Sequence, residues 1–87
     1  MRNICYVITE MLEELVKFEK YYSDVVLLEN IKFKLNTNRE RAKMTAPEAM
    51  FLRWQELDDI MESFMQHQWR QVAHANDFIS AYLGKWE

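Results

Sequence analysis

Glycine, proline and cysteine occur once each in this chain of 87 residues, as Gly84, Pro47 and Cys5. A sheet protein of this length needs several tight turns, and turns draw on glycine and proline, so their scarcity argues against a β architecture. A lone cysteine closes no internal disulfide, which excludes a stapled secreted scaffold. Set beside Tyr6, Val7 and Ile8, the Cys5 thiol reads as inert packing. No apolar run nears the roughly 18–20 residues that span a bilayer. Nor does the N-terminus show a charged flank, an apolar stretch and a small-residue cleavage site in succession. The expectation is a soluble, cytoplasmic protein with no membrane contact, built as a single helical domain over residues 1–87. A net charge of −3 supplies no overall attraction to nucleic acid.

Apolar residues, by contrast, are abundant: 49% of the chain is hydrophobic and 14% aromatic. A domain this short buries only about 60–65% of the surface of its unfolded chain. The excess points to a partner or a second copy.

The apolar pattern is helical. Ile4, Ile8, Met11, Leu15, Phe18, Tyr22 and Val25 follow one another in alternating steps of four and three, the spacing of a helix packed along one seam. This predicts a helix over about 2–35, roughly 50 Å long at the helical rise. Ser23-Asp24 offers a cap for a second helix and Val25-Val26-Leu27-Leu28 breaks the register, so a division near Ser23 stays open. Asn36-Thr37-Asn38 is the best turn, followed by a short helical stretch over 38–44. Thr45-Ala46-Pro47-Glu48 has capping-box spacing, with proline where its missing N–H costs nothing. Nothing interrupts the pattern from there to Gly84, which suits a C′ residue, so a second helix is predicted over about 46–83.

The expected architecture is therefore all-α: an antiparallel hairpin of two long helices, about 2–35 and 46–83, with a short helical turn at the bend. At 100° per residue the apolar arc of the second helix covers roughly half its circumference, more than the ~100° stripe one neighbour needs. A hairpin alone encloses no core, so two copies are expected to dimerise into a four-helix bundle.

Met44, Met50, Met61 and Met65, with Phe51, Trp54 and Trp69, form a soft, aromatic-rich stripe. Methionine adapts to irregular surfaces, and tryptophan and methionine are enriched at interfaces, so Phe51, Trp54, Met61, Met65 and Trp69 are the candidate protein interface. A second feature is the bend, where Lys32, Lys34, Arg39, Arg41 and Lys43 are opposed only by Glu40. That cluster points to an alternative, anion or nucleic-acid binding. Next comes a run, residues 44–62, with five carboxylates against one arginine.

Candidate chemistry is thin. His67 and His74 lie two turns apart, too far to share one ion, and no Glu-x-x-His motif of the carboxylate-bridged di-metal bundles is present. Glu10-x-x-Glu13 and Glu56-x-x-Asp59 resemble the paired acidic motifs of all-α nucleotide pyrophosphohydrolases, which implies a second alternative, a Mg²⁺-dependent nucleotide hydrolase. Gln55-Glu56-Leu57-Asp58, followed by Ile60, Met61 and Phe64, resembles a helix of small helical-hairpin aspartyl-phosphate phosphatases. Trp54 stands where that family has serine. No catalytic residue, metal ligand or cofactor is assigned. The leading expectation is a small non-enzymatic protein–protein interaction module, a homodimer that also docks on another protein. Its size and acidity are those of inhibitors, immunity proteins and antitoxins.

Overall fold

The computed structural model describes residues 2–68 and 72–84, without the side chains of 67–68 and 72–75. Asn3 opens the first helix, α1 (Ile4–Phe18), its Oδ1 accepting from the N–H groups of Cys5 at 2.8 Å and Tyr6 at 3.4 Å. These are orphan donors of the first turn, which only a cap or water can satisfy. A short 3-10 turn (Glu19–Tyr21) follows. Asp24 then caps α2 (Val25–Lys43) through Leu27 N–H at 2.9 Å. The helix expected over 2–35 thus divides near Ser23. No breaker residue is needed: Tyr22 turns into the core with an extended backbone, and the Asp24 cap starts a new axis.

The next junction also differs from expectation. α2 runs straight through Asn36-Thr37-Asn38. Asparagine favours turns because its amide competes for backbone groups. Here those amides are used otherwise: Asn36 Nδ2 donates to Lys32 O at 3.0 Å, and Asn38 Nδ2 to Arg53 O on a neighbouring helix at 3.1 Å. The bend falls at 44–46. Pro47 forces its predecessor Ala46 into the extended region, at φ −62°, ψ 148°, which ends any continuous helix. Pro47 occupies the first position of a 3-10 turn (Pro47–Ala49), as its chemistry predicts, and α3 (Met50–Gln68) follows. Thr45, however, does not cap this element. Its hydroxyl donates back to Arg41 O at 2.6 Å and so serves the end of α2.

α4 (Val72–Leu83) folds back on α3. The Phe64 and Phe78 rings lie 4.0 Å apart, whereas an unbroken helix would hold them roughly 21 Å apart. Tyr82 likewise donates to Asp58. The second long helix is therefore two antiparallel ones. Gly84 has no positive φ and is not a left-handed C′ residue; it leaves room for Arg2, whose guanidinium a Cβ there would overlap.

Among the described residues every one outside 2–3, 22–24 and 44–46 is helical, and none is in a strand. α1 packs against α2 and α4, and α3 against α2 and α4, neighbours running antiparallel. The core takes Ile4, Val7, Ile8, Met11 and Leu15 from α1, Leu28, Ile31, Leu35 and Ala42 from α2, Leu57, Ile60, Met61 and Phe64 from α3, and Phe78 from α4. This packing encloses a core without a second copy. One chain supplies four helices around one core. It exposes 5459 Å², close to the roughly 5,500 Å² expected of a folded monomer of its mass.

Candidate docking surface

Of the five candidate interface residues, the core claims one fully. Met61 is 7% exposed and packs with Leu57 and Phe64. Trp54 is half-buried against the same cluster. Phe51 is 69% exposed at the start of α3, and Met65 faces solvent nearly four turns later. Trp69 lies outside the described residues. The stripe is thus divided: its centre is core and its two described ends are surface.

The most exposed large apolar residues lie elsewhere, on α2 and at its C-cap. Val26 is 73%, Phe33 71% and Met44 84% exposed. Spaced seven and eleven apart, they fall within about 20° of one another on the helix, with Asn30 and Thr37 between them. This stripe has little helical-wheel signal because polar residues interrupt it. Val25, expected on the packed seam, is itself 63% exposed, because the new axis of α2 turns it away from the core.

Phe33 borders a cleft of about 380 Å³ between α2 and α3. The α2 wall is cationic, with Lys34 and Arg41 beside Thr37 and Asn38. The α3 wall is anionic, with Glu56 and Asp59 beside Ile60. Leu52, also exposed, continues the line of Glu56 and Asp59 toward the N-terminus of α3. At the cleft floor Asn38 is 2% exposed, and its Oδ1 and the Arg53 Nε are buried without hydrogen-bond partners.

The five bend cations part company. Lys32 joins Glu19 at 2.6 Å and Glu29 at 3.5 Å, and its hydrogen bond to Glu19 raises its pKa. Arg39 donates to Thr9 and Asn36, fastening α2 to α1. Lys43 pairs with Glu40 at 2.9 Å and lowers that carboxyl's pKa through their hydrogen bond. Lys34 and Arg41 form no ion pair among the described residues. Three of the five are thus spent inside the molecule, and the remaining two share a cleft with carboxylates. An anionic polymer needs many phosphate contacts to bind, and this cluster offers few.

The two carboxylate pairs open into different clefts. Glu10 and Glu13, with Glu14 and Asp77, border one between α1 and α4, where Arg2 holds Glu10 at 2.6 Å. Glu56 and Asp59 face the α2/α3 cleft, and Glu56 is held by Arg53 at 2.9 Å. The spacing that suggests a shared metal does not bring the pairs onto one surface of the chain. The described residues contain no group of three or more His, Cys, Asp or Glu placed to hold an ion, and no helix among them is long and apolar enough to cross a membrane.

No protein-family model matches the chain, and no curated protein or solved structure is significantly similar to it.

Proposed function

We propose that this chain is a non-enzymatic protein–protein interaction module that docks through its outer α2/α3 face. The observation that carries this reading is the coincidence of Val26, Phe33 and Met44 along α2 with a cleft whose walls bear opposite charge. Large apolar side chains aligned on one helix face are unusual on a domain whose core is already filled, and such patches mark interaction sites. Flanking charges set orientation and reject wrong partners. Phe51 and Leu52 extend the same outer surface across the start of α3.

The partner is a protein that presents apolar side chains to α2 and charge of both signs to the cleft. A photo-cross-linking amino acid at Phe33, compared with one at exposed Tyr6 on α1, tests this. A defined protein adduct is expected at position 33 and not at position 6. Equal labelling at both positions, or none at 33, would remove the reading. Nucleic acid captured at 33 would favour the anion-binding alternative.

A further inference from the structure

The α2/α3 face has an unusual property: it carries its own complement. One wall of its cleft presents Lys34 and Arg41, and the other Glu56 and Asp59. The walls run antiparallel, with Asn38 level with Arg53, as their 3.1 Å hydrogen bond fixes. Lys34 is then level with Leu57, between Glu56 and Asp59, and Thr37 with Trp54.

We infer that this face docks on the same face of a second copy, about a two-fold axis running along the cleft. The inference rests on the docking reading above and names its occupant. Two copies placed face to face can be related by two kinds of two-fold axis lying in the interface. An axis across the cleft lays α2 on the partner's α2, cation over cation, and α3 on the partner's α3, carboxylate over carboxylate. An axis along the cleft lays α2 on the partner's α3. Lys34 then stands over the partner's Leu57, within one helical turn of both the partner's Glu56 and the partner's Asp59, while Arg41 lies about 9 Å along the axis from that Glu56. The symmetry repeats each pairing, as an isologous interface must. Charge thus selects one arrangement of the two.

The same rotation places Phe33 against the level of the partner's Asp58, and Met44 against the 3-10 turn that leads into the partner's α3. The apolar stripe is covered while Lys34, which has no ion pair among the described residues, gains carboxylate partners. Size sets the strength. Two helices of 19 residues, each about 28 Å long, offer a face of roughly 500–600 Å² on each copy, below the ~800 Å² of a standard interface. The dimer is accordingly weak and its charges are screened by salt. It forms at roughly hundred-micromolar protein or above, and its population falls as salt rises.

Sedimentation of the intact chain across concentration and salt reads this directly. Two charge-reversed variants supply the decisive comparison. Lys34→Glu with Arg41→Glu makes both walls acidic, and Glu56→Lys with Asp59→Lys makes both walls basic. Each alone is expected to raise the dimer Kd by at least about tenfold. Mixed in equal amounts, the two are expected to form a heterodimer tighter than the native homodimer. Circular dichroism of each confirms that its helices are intact. If Glu56→Lys disturbs the helix through loss of Arg53, Asp59→Lys alone carries the same test.

The inference is overturned if the native chain stays at 10.6 kDa to about 1 mM. It is equally overturned if a dimer forms that neither reversal weakens, because another face then holds it. A strictly monomeric chain that still cross-links a different protein through position 33 would sink the self-association and keep the docking reading. A monomer that captures nothing at 33 would sink both.

Discussion

Asn38 is where the residue scale is most informative. It is the one buried polar residue among the described core positions. Its amide donates across to α3, but its Oδ1 is left without a partner, and a buried unpaired acceptor costs about 1–3 kcal/mol. Leucine has nearly the same shape and removes the donor and the orphan acceptor together. Asn38→Leu is expected to unfold in urea at or above the native midpoint, whereas Asn38→Ala, which also opens a cavity, falls below it. A loss of more than about 2 kcal/mol in the leucine variant would show that the bond to Arg53 outweighs the orphaned oxygen.

Tyr22 gives the residue scale a pH signature. Burial, reinforced by the charges of Asp77 and Glu14, pushes its hydroxyl up to about 12. The folded state therefore holds this proton more tightly than the unfolded chain, whose tyrosine titrates near 10. The stabilisation linked to it is complete below pH 10 and is lost as pH climbs from there through 12, by a few kcal/mol at most. Tyr22→Phe cannot ionise. Its stability relative to the native chain is expected to be flat below pH 10 and to improve steadily above it. A difference that does not change between pH 9 and 12 would contradict the assigned burial.

At the scale of the element, helices were legible and their ends were only partly so. The α1 seam from Ile4 to Leu15 is core almost residue for residue, because a heptad pattern states which side faces a neighbour. The division near Ser23 could be glimpsed in Asp24, since aspartate is a strong cap, but a cap states only that a helix can start. Whether the chain turns there depends on Tyr22 finding a place beside Phe64, at a ring distance of 5.9 Å, which is tertiary information. Asn36-Thr37-Asn38 failed as a turn for the same reason. The fold back between α3 and α4 left no glycine or proline to read. The candidate surface was least legible, because Phe33 and Met44 become a stripe only once α2 runs unbroken through residues 36–38.

Caps make this scale testable. Asp24 accepts from a backbone N–H that opens a new helix, so Asp24→Ala is expected to cost about 1 kcal/mol. Thr45 instead bonds a carbonyl at the exposed end of α2, which water can satisfy equally well. Thr45→Ala is expected to cost less than half as much. Matched denaturation curves would reverse this assignment if the threonine variant proved the weaker of the two.

At the scale of the molecule, the central question is what one copy needs from another. The hairpin expected from the sequence would leave its apolar arc bare and could fold only as a pair. Its unfolding temperature would then climb with protein concentration, since association and folding would be one equilibrium. Four helices closed around Phe64, Phe78 and Tyr22 need no such help. A weak dimer formed through the outer α2/α3 face adds stability only where its concentration exceeds the dissociation constant. Thermal unfolding monitored by circular dichroism is therefore expected to give one midpoint, constant within about 1 °C from about 5 to 50 μM protein. Phe33→Glu is expected to leave that midpoint in place, because its side chain is 71% exposed and touches solvent rather than core. Phe64→Ala is expected to lower it steeply: emptying a fully buried aromatic costs about 3–5 kcal/mol, much of what a domain this small possesses. A midpoint that rises several degrees over that concentration range, or that drops with Phe33→Glu, would mean that the fold is completed by its partner and that the outer face belongs to the core of an assembly.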